Sequence, residues 1–180
     1  MSCGSLGRWP EGRWLFGKMP AHGDFVARGI DAAERDQLDR WLTAEMEAAR
    51  TVWAADFDDR YAAAPAWCFI GADVRGGWSG GMLCASMDRV GRLFPLALAG
   101  PADDPANAVA VAGGCLDLVA EAFAQGWDAD RLNGSALVPV PLPWAPSAEA
   151  WALVGEDGPA IELPGLQPRG IVERMVEMAA

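Results

Sequence analysis

Two long stretches of the chain carry apolar residues at a spacing of three and four, which predicts amphipathic α-helices. The first stretch begins at Asp31, which has Glu34 three residues further on and so forms a capping-box pattern. The second begins at Asp104-Pro105 and ends at Gly126, a residue type that favours the end of a helix. The apolar stripes are Leu38, Trp41, Leu42, Met46, Ala49, Val52 and Trp53 in the first helix, and Val109, Ala112, Leu116, Val119 and Phe123 in the second.

Between these helices, runs of aromatic and aliphatic residues predict three β-strands at 66–72, 78–87 and 92–99. The gaps between the runs are short and contain glycine, so we expect antiparallel hairpins rather than parallel crossovers. Pro95 cannot donate a ladder hydrogen bond and therefore marks a strand edge, a bulge or a strand start. A shorter strand is predicted at 13–17.

The rest of the chain gives weaker patterns. Gly113 and Gly114 lie in the middle of the second helix and indicate close packing against a segment that the sequence does not identify. The other expected elements are a short helix at 56–64, a proline-rich extended stretch at 138–146, short strands at 151–154 and 160–163, and a final helix at 169–178. We interpret the chain as one domain, 13–180, after a flexible tail, 1–12, with 136–180 as a C-terminal extension of undefined role.

Composition and charge limit the classes of protein to which the chain can belong. The chain has 180 residues, of which 52% are hydrophobic, so it is long and apolar enough to form one folded core. Its net charge of -11 repels phosphate groups, so we expect no nucleic-acid partner and no attraction to an anionic membrane surface. No apolar run is expected to reach the length of a membrane span, so we expect no direct membrane insertion, and the N-terminus lacks a signal-peptide core. These features predict a cytoplasmic protein.

The cysteines predict neither a metal site nor a cofactor. The four cysteines form no C-x-x-C pair, and the chain has one histidine. Cys68, Cys84 and Cys115 lie in apolar runs and are interpreted as reduced core residues, as expected in the cytoplasm.

The segment 17–29 is predicted to be a loop of defined shape, because it holds three glycines and a proline. Its charged and titratable residues are Lys18, His22, Asp24 and Arg28. His22 and Asp24 are candidates for a general base and its orienting carboxylate. No G-x-S-x-G nucleophile motif occurs, and Cys84 lies in an apolar run that disfavours a thiolate. The other interpretation is that His22 anchors the loop by hydrogen bonding.

A second charged loop is predicted between two strands, at 86–96. Asp88, Arg89 and Arg92 surround a glycine turn there. One interpretation is an internal ion pair, for example of Arg89 or Arg92 with Asp24, and the other is that the arginines face a partner. The sequence leaves both open.

Tryptophan is abundant, with nine residues in the chain. Trp9, Trp144 and Trp151 have proline- or glycine-rich neighbours, so they are candidates for exposed binding positions. The alternative for each of them is partial burial at the edge of the core.

At the two charged loops the chain resembles the TagF (ImpM) family of type VI secretion-associated proteins. The resemblance extends over about 14–123. It rests on Phe16-Gly17-Lys18-Met19-Pro20, Gly23-Asp24-Phe25-Val26, Arg28-Gly29, Asp39-Arg40-Trp41-Leu42, Pro65-Ala66-Trp67-Cys68-Phe69, Ser86, Asp88-Arg89-Val90-Gly91-Arg92 and Phe94-Pro95-Leu96.

The resemblance implies an α+β fold, a single domain with a mainly antiparallel sheet flanked by helices in three αβα layers. It also implies a non-enzymatic accessory protein that restrains type VI secretion after translation by binding a forkhead-associated scaffold protein. The candidate protein-binding residues are Lys18, His22, Asp24, Arg28, Asp88, Arg89 and Arg92. The alternative is a small hydrolase or small-molecule sensor, which would require a deep cleft faced by His22. A structural subunit of the secretion apparatus is a third possibility.

Overall fold

The computed structural model describes residues 7–179. In this part of the chain, a seven-stranded antiparallel sheet lies between two layers of helices. The strands are β1 (Trp14–Gly17), β2 (Val26–Arg28), β3 (Trp67–Ala72), β4 (Trp78–Cys84), β5 (Leu96–Ala102), β6 (Ala150–Gly155) and β7 (Gly158–Pro164). The helices are α1 (Ala32–Trp53), α2 (Phe57–Ala62), α3 (Pro105–Gln125), α4 (Ala129–Gly134) and α5 (Ile171–Glu177), with a 3₁₀ turn at Ala54–Asp56. The strand order is β2-β1-β5-β4-β3-β6-β7.

Alternation along the strands places apolar side chains on both faces of the sheet. In β3, Trp67 and Phe69 belong to the core under α1, α2 and α5, whereas Cys68 and Ile70 belong to the core under α3. The same alternation in β1 separates Trp14 from Leu15. The expected α+β fold, one domain with three αβα layers, is therefore confirmed.

The long helix α1 begins where its capping pattern predicts. The Asp31 carboxylate accepts the Glu34 N–H at 2.8 Å, and the Glu34 carboxylate accepts the Asp31 N–H at 2.8 Å. Most of the predicted stripe faces the core, but Val52, in the last turn, is 58% exposed. The stripe therefore explains the packing of all but the end of the helix.

The predicted strands around the second charged loop are too long. The strand expected at 78–87 ends at Cys84, and the strand expected at 92–99 begins at Leu96. Pro95 stands just before the later strand because it has no N–H to donate. Conversely, the three-residue strand β2 lies inside the segment that was expected to be entirely loop.

Helix α4 has no counterpart among the predicted elements. It is six residues long, too short to display a helical stripe. Its N-cap is Asp128, whose carboxylate accepts the Arg131 N–H at 2.8 Å. This cap is the local signal that identifies the helix.

The three tryptophans that were considered for exposed positions are buried. Trp9 and Trp151 are 0% and 1% exposed, and Trp144 is 6% exposed. The prediction of a flexible tail at 1–12 is also wrong from Trp9 onward. The Trp9 N–H donates to Ala72 O at 2.9 Å, and the Trp9 ring packs on Phe69. Positions 1–6 of that tail lie outside the described residues.

One helix in the described part of the chain, α3, is long and apolar enough to span a membrane by length and composition. The expectation that no apolar run reaches that length is therefore wrong. In the fold, α3 packs against β3, β4 and β5, and more than half of its most apolar window is buried. Its apolar character is explained by this central position in the core.

The proline-rich stretch lies across α3 at the glycine pair. A Cβ atom at Gly113 would lie 2.2 Å from Val140 O, and one at Gly114 would lie 2.3 Å from Val138 O. The close packing predicted from these glycines is confirmed, and the neighbour is the stretch at 138–146. This contact also joins the C-terminal extension to the core.

Substituting Gly114→Ala should lower the free energy of unfolding by about 1–3 kcal/mol, because the added methyl group overpacks the contact with Val138 O. The measurement is thermal unfolding followed by circular dichroism. Gly134→Ala is the matched control, since this helical glycine has nothing within 4 Å of an added Cβ. Equal melting temperatures for Gly114→Ala and the wild type would contradict the packing.

Glu45 of α1 supplies the cap that α5 lacks. Its Oε2 accepts the Ile171 N–H at 2.9 Å, while the N-cap residue of α5, Gly170, has no capping side chain. Burial raises the pKa of Glu45 and outweighs the hydrogen bonds from the backbone at 170–172 and the attraction of Arg169, which lower it.

A raised carboxyl pKa in the folded state means that the protonated form is favoured there. The stability of the wild type relative to Glu45→Gln should therefore fall as the pH rises through the folded-state pKa. Chemical denaturation of both proteins between pH 4 and pH 8 (roughly the range of carboxyl titration) measures this difference. A stability difference independent of pH would contradict the raised pKa of Glu45.

Candidate docking site

Two loops from distant parts of the chain lie side by side at one end of the sheet. The first loop (residues 18–25) joins β1 to β2, and the second loop (residues 85–95) joins β4 to β5. The Arg89 N–H donates to His22 O at 2.7 Å, and the Lys18 N–H donates to Pro95 O at 3.3 Å. Because these are backbone contacts, they fix the position of one loop relative to the other.

The junction of the loops requires a glycine at Gly17. Its φ of 138° lies in a region that L-residues with side chains rarely adopt, and a Cβ there would lie 2.0 Å from Pro95 O. Gly17 therefore allows the backbones of β1 and the second loop to cross closely.

The Asp88 carboxylate holds the second loop in shape. Its Oδ1 accepts the Val90 N–H at 3.1 Å and the Arg92 N–H at 2.9 Å. The Asp88 N–H in turn donates to Arg92 O at 3.1 Å. An aspartate that accepts from the backbone two residues ahead stabilises a turn, so this loop has a defined geometry.

The same carboxylate joins the second loop to the first. Asp88 Oδ2 lies 3.0 Å from Lys18 Nζ and 2.7 Å from Arg92 Nε. The Asp88 side chain is fully buried and the Lys18 side chain is 8% exposed. The Ser86 hydroxyl adds a hydrogen bond to Lys18 O at 2.7 Å. This is a buried ion pair whose carboxylate has every oxygen satisfied.

The electrostatics of Asp88 favour its charged form. Burial alone would raise the pKa of Asp88, but hydrogen bonds from the Arg92 N–H, Lys18, the Arg92 side chain and the Val90 N–H hold it well below its ordinary value. Asp88 therefore stays ionised across the physiological pH range.

Aromatic rings support the loops from below. The Phe25 ring packs edge-to-face on Phe94 with centroids 4.8 Å apart and stacks on Phe16 at 5.9 Å. Lys18 Nζ lies 5.0 Å from the Phe25 centroid. Phe25 nevertheless remains 44% exposed, so one side of it belongs to the surface.

His22 is directed at α4 rather than at an open cleft. Its Nε2 accepts the Ala129 N–H at 2.9 Å, so this lone pair is occupied. Asp24 accepts the Phe25 N–H, and among residues 7–179 no hydrogen bond joins it to His22. A groove of about 320 Å³ lies beside Asp24, but His22 does not line it. The base-and-carboxylate pair considered for a hydrolase is therefore not assembled.

The cysteine considered as a nucleophile is equally unsuited. Burial raises the pKa of Cys84 to about 12, outweighing a hydrogen bond with the Leu96 backbone. Cys68 and Cys115 are also unpaired and buried. Within the described residues, no group of three or more His, Cys, Asp or Glu is placed to hold a metal ion.

Arg28 binds α4 and stands apart from the ion pair of Asp88. Its Nε donates to Asp130 Oδ1 at 2.8 Å. The hydrogen bond from Arg28 lowers the pKa of Asp130, and the same bond raises the pKa of Arg28. Together with His22, Arg28 positions α4 against the first loop, a contact that the sequence could not indicate because α4 itself was not predicted.

Arg89 is the one candidate cation whose charged group has no partner within residues 7–179. Arg92 pairs with Asp88 and donates to Gly23 O at 2.6 Å, so the pairing suggested for Asp24 with Arg89 or Arg92 is wrong. The Arg89 guanidinium makes no ion pair or hydrogen bond in this part of the chain, and it lies above Gly23, 3.3 Å from where a Cβ would stand.

Three apolar side chains on the two loops are exposed to solvent. Val90 is 69% exposed, Phe25 is 44% exposed and Met87 is 39% exposed. We call Phe25, Met87, Arg89 and Val90 the docking platform. Sequence analysis identified Arg89 but not the exposed apolar side chains, of which Met87 and Val90 lie on the same loop as Arg89.

The fold and this pair of loops define a three-layer αβα domain with a charged corner, and comparison with known proteins identifies its family. A family model described as the TagF N-terminal domain, type VI secretion system-associated, matches residues 14–133. The chain therefore belongs to the TagF family and is a type VI secretion-associated protein. No curated protein matches the chain.

A solved structure supports the fold. The chain is similar to the crystal structure of PA0076 from Pseudomonas aeruginosa PAO1, with a TM-score of 0.66 and 22% sequence identity. The similarity covers 91% of this chain and 93% of the other. It therefore extends beyond the segment matched by the family model and includes most of the C-terminal extension.

Substituting Asp88→Asn should lower the melting temperature at neutral pH by roughly 5–15 °C, because it leaves the buried Lys18 ammonium without a counter-charge. Asp88 has a lowered pKa in the folded state, so its contribution to stability is present above the ordinary pKa of an aspartate and is lost as the pH falls through the folded value.

The difference in melting temperature between the wild type and Asp88→Asn should therefore be largest near neutral pH and become smaller below about pH 4. Differential scanning calorimetry at several pH values measures it. Asp58→Asn is a control, since Asp58 belongs to an exposed ion pair with Arg50. Equal decreases in melting temperature for Asp88→Asn and Asp58→Asn would contradict the role of Asp88 as the buried charge that joins the two loops.

Proposed function

We propose that this protein is a non-enzymatic regulator that represses assembly of the type VI secretion system after translation. It acts in the cytoplasm by binding a forkhead-associated scaffold protein of that system. The docking platform is the contact surface, and the surrounding candidate residues hold it in place. In this scheme Lys18, Asp88 and Arg92 brace the two loops, and His22 and Arg28 position α4 behind the first loop.

The observation that carries the proposal is the platform itself. Two loops are held together by a buried carboxylate, yet they present three exposed apolar side chains and the guanidinium of Arg89, which has no partner among residues 7–179. A preorganised surface loses little conformational freedom on binding, which favours recognition of a partner. Arginine and aromatic residues are also the types most enriched in binding hot spots.

Two further observations support a binding role over catalysis and a cytoplasmic location. The lone pair of His22 Nε2 is occupied by the Ala129 N–H, and the pKa of Cys84 is raised, so neither residue is prepared for nucleophilic chemistry. Cys68, Cys84 and Cys115 are free rather than joined in disulfides, which is typical of a reducing compartment.

Isothermal titration calorimetry of the purified chain with the forkhead-associated scaffold protein tests the proposal. We expect saturable binding, because the platform is already formed in the free protein. Titrating the scaffold protein into buffer alone gives the heat of dilution. A folded chain that produces no binding heat with the scaffold, confirmed by co-sedimentation, would contradict the proposed function.

A further inference from the structure

We infer that the docking platform recognises a carboxylate of the partner, from an Asp or Glu side chain, through the guanidinium of Arg89, with an aliphatic side chain next to that carboxylate packing on Val90 and Met87. This inference rests on the proposed function and adds the chemistry of the contact. It also assigns different roles to the arginines of the second loop.

The cations at the site differ in availability. Lys18 is buried against Asp88, and its side chain is 8% exposed. The Arg92 guanidinium already makes two internal hydrogen bonds, since its Nε donates to Asp88 and its Nη2 donates to Gly23 O. Arg89 alone, among these three, offers a guanidinium without a partner in the described chain. The contact with an incoming anion therefore falls to Arg89.

The backbone holds Arg89 in a fixed position. Its N–H donates to His22 O, and the residues on either side, Asp88 and Val90, belong to the turn closed by the Asp88 carboxylate. The guanidinium lies over Gly23, where the lack of a side chain leaves room for it. A planar guanidinium on a rigid turn is suited to bidentate hydrogen bonds with a carboxylate.

The local balance of charge favours an anion with a single charge. The charged groups on the two loops are three cations and two carboxylates: Lys18, Arg89, Arg92, Asp24 and Asp88. This leaves an excess of one positive charge, which one carboxylate neutralises. A phosphate group carries close to two negative charges at pH 7 and would leave an excess beside the exposed carboxylate of Asp24. We therefore assign the site to a carboxylate.

The apolar part of the platform defines the neighbour of that carboxylate. Val90 follows Arg89 directly and Met87 precedes it by two residues, and they are 69% and 39% exposed. Contact with an aliphatic side chain would remove their apolar surface from water, and it would also exclude water from the ion pair and strengthen it. A short acidic and aliphatic segment of the partner thus satisfies both parts of the surface.

Titration of Arg89 variants with the forkhead-associated scaffold protein tests this inference. Arg89→Ala should weaken binding by at least about tenfold, and Arg89→Glu should weaken it further because it places two carboxylates together. Arg89→Lys should retain part of the affinity, since it keeps the charge but loses the second hydrogen bond. All three should melt within a few degrees of the wild type, because the Arg89 side chain makes no hydrogen bond or ion pair within residues 7–179 that they would remove.

Arg75→Ala is the matched control. Arg75 is an exposed arginine in the turn between β3 and β4, and the seven residues of β4 place that turn about 20 Å from the second loop. The affinity of the Arg75→Ala variant for the scaffold protein should equal that of the wild type. Treating the scaffold with phosphatase should also leave the affinity of the wild type unchanged.

The outcomes separate the two claims. Wild-type binding that Arg89→Ala and Arg89→Glu leave unchanged would overturn the role of Arg89 while leaving the proposed function intact. Loss of wild-type binding after phosphatase treatment would show that a phosphate is the ligand and would overturn the assignment to a carboxylate. Absence of any wild-type binding would remove the proposed function, and this inference would fall with it.

Discussion

The arrangement of the two loops depends on one buried charge, the carboxylate of Asp88. Taking a carboxylate and an ammonium out of water is costly, and such a pair is maintained only where every polar atom finds a partner. Here the carboxylate accepts two backbone N–H groups of its own loop and pairs with Lys18 of the other loop and with Arg92. Because one group satisfies both its own turn and the neighbouring loop, neither loop keeps its geometry independently of the other.

This constraint divides the charged residues into two groups with different roles. Lys18 and Arg92 both pair with Asp88, so these three residues hold the two loops together and offer little to a partner. Arg89 is held by its backbone while its side chain stays unpaired in the described part of the chain, and it is therefore the residue in a position to contact another molecule. Val90 follows Arg89 in the turn that the Asp88 carboxylate stabilises, and its side chain is 69% exposed.

The sequence predicts the elements that have strong local signals. The capping box at Asp31 and Glu34 sets the start of α1, the Asp104-Pro105 pair sets the start of α3, and the apolar runs give the central hairpins. The family, and with it the layered fold, also follows from short ordered motifs. Gly113 and Gly114 indicate close packing correctly, although the neighbouring segment emerges only from the structure.

What the sequence does not predict depends on contacts between distant residues. β2 has three residues and forms because β1 offers an edge, while α4 has six and is held by His22 and Arg28. Trp9 appears at the end of a tail by composition, but its ring completes an aromatic cluster with Phe69 and Trp151. The pairing of Asp88 with Lys18 could not be predicted from sequence either, since the two residues are far apart along the chain and Arg89 and Arg92 are nearer cations.

Amide hydrogen exchange of the free protein, compared between the wild type and Asp88→Asn, tests the coupling of the two loops most directly. The account predicts that exchange becomes faster in both the first loop and the second loop, and stays unchanged in the turn that carries Arg75. Faster exchange confined to the second loop would contradict it, because the carboxylate would then shape its own turn without holding the two loops together.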